Sequence, residues 1–93
     1  MVVALLSVEL HLPFATSLKE KRMVVRGLKD RLRKFNVAIA EVDYHDTWQR
    51  AALGVVTISA EAAHADKELQ AVAAEIERLE PGLITRTGVE FLT

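Results

Sequence analysis

The chain of 93 residues has no cysteine. That excludes disulfides, thiolate metal sites and iron–sulfur clusters held by cysteine. Asn36 is its sole asparagine and Gln49 and Gln70 its sole glutamines, a shortage of thermolabile side chains that points to a thermophile. Only two prolines and four glycines occur, too few for a linker or a low-complexity segment. No excess of charge exists either: the formal net charge is −1, which gives no global push toward nucleic acid or membrane. The longest apolar stretch, "MVVALLSVELHLPFA", lacks a positively charged start and is interrupted by Glu9 and His11. It is too short to span a bilayer. The expectation is a cytoplasmic protein with no membrane partner.

What is present is an ordinary globular composition, 51% hydrophobic and 27% charged, at a length that suits one domain, 1–93, with one modest core. Residues 2–12 alternate, with Val2, Ala4, Leu6, Val8, Leu10 and Leu12 on one wholly apolar face. This period of two predicts a half-buried strand, ended by Pro13. "SLKE" at 17–20 is a capping box, in which the Ser17 hydroxyl accepts from the Glu20 amide and the Glu20 carboxylate reaches back to the Ser17 amide. Leu18, Val25, Leu28, Leu32 and Phe35 then predict a helix over about 18–34 with one buried stripe. "NVAIAEVD" (36–43) and "WQRAALGVVTIS" (48–59) predict two strands joined by a polar hairpin loop, "YHDT". In the second of these, Leu53 and Val55 have opposite parity to Val56 and Ile58, and a bulge near Gly54 is the expected resolution. Ala65, Leu69, Val72, Ile76 and Leu79 predict a second helix, about 61–79, stopped by "EPG". "LITRTGVEFL" predicts a last strand with Leu83, Thr85, Thr87, Val89 and Phe91 on one face.

Strand, helix, strand, strand, helix, strand is the α+β order of the ferredoxin-like βαββαβ architecture: a four-stranded antiparallel sheet with both helices on one face. Ala38, Ala40, Ala52 and Gly54 are small, and are expected to let the helices sit close to the sheet. The other face is bare, and Val3 and Leu5 lie on it. An uncovered apolar sheet predicts a homo-oligomer, most simply a two-fold dimer through that face.

Taken together, "SLKEKR", "FNV", "AEVD" and "WQRAALG" make a specific combination. In them, and along nearly its whole length, the chain resembles the YlxP-like family of small bacterial proteins. The resemblance implies a ferredoxin-like domain, often encoded near translation factors and ribosome-binding factors. It implies no established activity, so no catalytic residue is carried over. Position 38 is alanine where serine is expected to be common.

Two groups of residues remain as candidate sites. The first is "EVDYHDTWQRA", residues 41–51. In this fold the loop after the first strand and the hairpin emerge at one end, so His11, Thr16, Ser17, Asp43, His45, Asp46 and Trp48 should come near one another. The free amides that open the first helix point to the same end, where an anion could bind. Asp43, His45 and Asp46, with His11, are plausible metal-ligand types, though such spacing is common by chance and zinc sites use a firmer pattern. The simpler reading is a structural turn whose acids take backbone hydrogen bonds or pair with Lys21 and Arg50, while Trp48 covers the edge of the core. No nucleophile with an oriented base accompanies them, so no catalytic residue, metal or cofactor is assigned and a non-enzyme is expected. Acylphosphatases share the architecture but resemble a pattern with an arginine in the first loop, which "LPFATS" lacks. An RNA-recognition motif needs aromatic residues on the third strand, and there are none.

The second group is electrostatic. Residues 18–34 carry eight bases against two acids, a net +6, and residues 61–80 carry six acids against two bases, a net −4. At ~100° per residue, Lys19, Arg22, Arg26, Lys29 and Arg33 fall in one narrow stripe beside the buried face. Such a stripe could follow a phosphate backbone, or it could pair with the acidic second helix. The expectation is a small binding protein that engages structured RNA or the ribosome through its first helix. An oligomeric ligand- or metal-binding module using the hairpin end, and a purely structural partner of another protein, are the alternatives.

Overall fold

The computed structural model describes residues 1–93. The elements are β1 (Val2–His11), α1 (Leu18–Arg31) continued by one 3₁₀ turn (Leu32–Lys34), β2 (Ala38–Asp43), β3 (Arg50–Ser59), α2 (Ala62–Leu79) and β4 (Ile84–Phe91). They form one antiparallel sheet in the order β2-β3-β1-β4. This is the ferredoxin-like α+β fold expected from the order of elements.

The core lies between the helices and one sheet face. β1 supplies Ala4, Leu6, Val8 and Leu10, β3 supplies Ala51, Leu53 and Val55, α1 supplies Val25 and Leu28, and α2 supplies Ala65, Leu69, Val72 and Ile76. The predicted stripes are therefore the buried ones. Each fully buried Leu, Ile or Val stabilises by roughly 1.5–3 kcal/mol.

Three local expectations about the sheet are corrected. β3 has no bulge at Gly54: it pairs with β1 without interruption from Arg50 to Ser59, and it is simply apolar on both faces. The bulges lie elsewhere, between Glu41 and Asp43 on β2 and between Glu9 and Leu10 opposite β4. The second of these sets Ile84, rather than Thr85, opposite Leu10, and the Thr85 hydroxyl donates instead to the Glu9 carbonyl. Ala38, Ala40, Ala52 and Gly54 do not admit the helices, because they alternate with the core residues and lie on the open face. Gly54 nevertheless serves a close approach. A Cβ there would sit 3.2 Å from Val42 Cγ1 and 3.7 Å from Leu5 Cδ1, so these two apolar side chains lie over the glycine.

The α1 cap is half as expected. The Ser17 hydroxyl accepts from the Glu20 amide at 3.1 Å, but the Glu20 carboxylate takes the Thr16 hydroxyl at 3.4 Å, not the Ser17 amide. At the far end of α2, Gly82 adopts φ +80° and donates its amide to Glu77 at 2.8 Å, so the chain reverses into β4 there.

Candidate functional site: the hairpin end and the basic groove

Three connections meet where β1 ends. The His11 amide donates to the Leu83 carbonyl at 2.8 Å, and the Leu12 amide to the Gln49 carbonyl at 2.9 Å. The Gln49 side chain donates to the carbonyls of Pro13 and Ala15, both at 3.2 Å. The first loop and the hairpin are thus neighbours, as their shared end of the fold requires.

The organising residue at this end is Lys21, which is 0% exposed. The spacing 21, 25, 28, 32 explains why: Lys21 continues the buried stripe of α1 by one turn. Its ammonium donates to the carbonyls of Tyr44 at 2.7 Å, Arg50 at 3.3 Å and His45 at 3.5 Å. It also lies 2.9 Å from Glu41 Oε2. That oxygen is buried and makes no hydrogen bond of good angle, so Glu41 contributes charge more than a directed bond. A buried ammonium needs such compensation to stay charged.

Tyr44 receives the strongest of these contacts, and it has φ +61°. A bulky residue in the left-handed region costs of order 1–3 kcal/mol and persists only where its surroundings over-determine it. They do so here. The Tyr44 amide donates to Asp43 Oδ1 at 2.7 Å and its hydroxyl to Glu9 at 3.2 Å. Arg50 donates to the same hydroxyl at 2.8 Å and to Glu9 at 3.3 Å, and its guanidinium carbon stands 3.9 Å from the centre of the Tyr44 ring.

The candidate residues of the hairpin end are therefore mostly engaged in building the turn. Asp43 caps Tyr44. His45 Nε2 lies 3.0 Å from the Glu41 carbonyl, which places its proton on that nitrogen. Arg50 belongs to the Tyr44–Glu9 cluster. His11 is exposed opposite Arg50 on the open face. Asp46 and Trp48 line a shallow depression with Thr47 and Gln49. No three histidine, aspartate or glutamate side chains converge on a point that could hold a metal ion. Trp48 is 52% exposed and is not among the residues that form or pack against the core. At the start of α1, Glu20 puts a carboxylate in the first turn and its amide is already taken by the Ser17 hydroxyl.

The basic stripe is placed differently from the hairpin. Lys19, Arg22, Arg26, Lys29 and Arg33 are all exposed. The opposite flank of α1 is the one turned to α2: Met23, Val24, Gly27 and Arg31 border Leu79 and Glu80. Two acids of α2 are committed elsewhere. Glu68 accepts the Asn36 amide at 2.9 Å, and Glu75 takes Lys34 and Arg78, both at 2.6 Å. Those two cations hold the Glu75 carboxyl well down, at about 2 against an ordinary 4.5, with the Arg78 hydrogen bond the larger cause and Lys34 the second. Within the stripe only Arg33 has an acidic partner, its helical neighbour Asp30 at 3.2 Å. Arg26, Lys29 and Arg33 line the helix side of an open groove of about 670 Å³ whose apolar strand side is Val37 and Ile39, with the buried Leu32 at its base. It runs between α1 and the edge strand β2.

A βαββαβ domain with a pinned hairpin and a basic groove defines a class of architecture and no activity. The family described as "Protein of unknown function (DUF503)" matches residues 3–88, and the chain belongs to that family. It is 46% identical to the uncharacterized protein YlxP of Bacillus subtilis (strain 168), over 78% of this chain and 83% of the relative. A solved structure described as a dimeric ferredoxin-like protein from an uncultured marine organism is similar over 98% of this chain and 86% of its own, at 13% identity and a TM-score of 0.38. A likeness that remote bears on neither assembly nor function. No helix is long and apolar enough to cross a membrane.

The sequence names Lys21 only as an ion-pair partner of the hairpin acids, and it does meet Glu41. Its full burial and its hold on three carbonyls are not legible there, because a lysine in an otherwise charged helix reads as solvated.

Proposed function

We propose that the protein is a non-catalytic RNA-binding module that contacts phosphates through the stripe Lys19, Arg22, Arg26, Lys29 and Arg33. One observation carries this reading: the stripe faces the edge strand, away from the acidic helix, so four of its five cations have no acidic partner within the fold. Like charges at i,i+4 on a helix repel by a few tenths of a kcal/mol per pair. A polyanion outside the protein offsets that repulsion, and structured RNA or the ribosome is the source in keeping with the resemblance. The test is a pull-down from lysate at low salt, with and without ribonuclease. Retained RNA that the nuclease removes supports the reading, and absence of any nuclease-sensitive material at low salt sinks it.

A second element of the proposal is a two-fold homodimer through the open sheet face. Val42 and Ile58 are 59% and 56% exposed there, beside Leu5, Ala38 and Ala40. The margin of the face along β1 and β4 carries both signs, Glu9 and Glu90 with Arg86. An apolar centre with a mixed-charge rim suits a self-complementary contact. The hairpin-end ligand or metal reading has no comparable observation behind it.

A further inference from the structure

The groove between α1 and β2 has a feature that phosphate binding leaves unused. The helix side is cationic, from Arg26, Lys29 and Arg33, and the strand side is apolar, from Val37 and Ile39, with the buried Leu32 at the base. Its volume of about 670 Å³ falls within the ~300–1,000 Å³ typical of small-ligand sites. A duplex backbone resting on the stripe touches the cations and leaves Val37 and Ile39 in water. An unpaired nucleotide fills both walls: its base lies on the apolar side and its phosphate meets the cations. The guanidinium planes of Arg26 and Arg33 offer stacking surfaces for a base. Asp30, also in the groove, supplies an acceptor for an exocyclic amine or a 2′-hydroxyl.

We infer that this groove receives an unpaired base of single-stranded RNA whose backbone continues along the stripe. The inference rests on the RNA reading above and names its substrate class. A strand fits better than a free nucleotide because the cations do not stop at the groove. Lys19 and Arg22 extend the same line, and at 1.5 Å per residue the stripe from Lys19 to Arg33 is about 21 Å long, several times the reach of one phosphate.

The experiment uses the full chain, labelled at its Val, Leu and Ile methyl groups. It is titrated in low salt with three probes: a ten-nucleotide oligouridylate, a blunt RNA duplex of equal charge, and uridine monophosphate. Affinity is read by fluorescence anisotropy, and contact by the methyl resonances. The inference expects the oligonucleotide to bind at least fivefold more tightly than the duplex, with the Val37 and Ile39 methyl signals shifted by the base and those of Val72 and Ile76 unmoved. Arg33→Gln, an exposed position that the core does not need, should reduce that preference. Equal binding of strand and duplex with the groove methyls unmoved overturns the groove inference and leaves the RNA reading standing. Equal shifts with the mononucleotide overturn the strand and make the groove a nucleotide site. Binding of none of the three overturns both readings.

Discussion

The ammonium of Lys21 stands 2.7 Å from the carbonyl oxygen of Tyr44, the one non-glycine residue with positive φ. A buried charge from the first helix thereby fixes the strained corner of a hairpin more than twenty residues away in sequence. The consequence is geometric: the β2–β3 turn is tied to α1 at one end of the fold.

Replacing Lys21 by methionine keeps much of the volume but leaves Glu41 and three carbonyls without their donor. Removing one partner of a buried pair costs about 3–5 kcal/mol. Chemical denaturation of Lys21→Met should show a loss of at least ~3 kcal/mol, and Tm should fall by at least ~12 °C. Glu41→Gln should cost less, since the ammonium keeps its carbonyls. A loss below ~1 kcal/mol for Lys21→Met would show that the hairpin does not depend on this contact.

The Glu75 carboxyl is held at about 2 by Arg78 and Lys34, below its ordinary 4.5. A carboxyl depressed in the folded state stabilises above its unfolded value and loses that contribution as pH falls toward the folded one. The stabilisation from Glu75 should therefore be complete above about pH 4.5 and fade between there and about pH 2. Melting curves of Glu75→Gln should run below wild type at pH 6 and converge with it at the acid end of that window. A constant offset across the range would contradict the assignment.

Much of this fold was legible before the structure, and the parts that were not have identifiable causes. Period two in β1 and the 3.6 period in both helices name most of the core, because each has one face that is apolar nearly throughout. β3 defeats the same method: Leu53 and Val55 face the helices, yet Val56 and Ile58 are also apolar, so alternation carries no sign. For that reason alternation does not fix the face of the small residues of β2 and β3, which lie on the open side. Tyr44 was unreadable because its backbone is usually a glycine or asparagine position, and here tertiary contacts override that preference. The stripe was read from helical angles alone. Which neighbour it faces was not, since angles around one helix do not say on which side the other helix lies.

The open face makes its own prediction. Val42 is exposed and packs over Gly54 beside Leu5, without a place in the core. Val42→Glu should cost little in stability, within about 0.5 kcal/mol as surface changes usually do, while shifting the mass by light scattering from dimer to monomer at micromolar concentration. A wild-type protein that is already monomeric there excludes the dimer.

The central claim is that the cations of α1 serve a polyanion outside the fold. The direct measurement is the salt dependence of RNA affinity for wild type and for Arg22→Ala/Arg26→Ala. Each phosphate neutralised on single-stranded RNA contributes about 0.7 to the log–log slope, and on a duplex about 0.9. Wild type should give a slope magnitude of about three to five for full use of the stripe. The double variant should lower it by about 1.4 to 1.8 and weaken binding alike across RNA sequences, because phosphate contacts carry no base information. An unchanged slope in the double variant, or no binding by the folded wild type at low salt, contradicts the account.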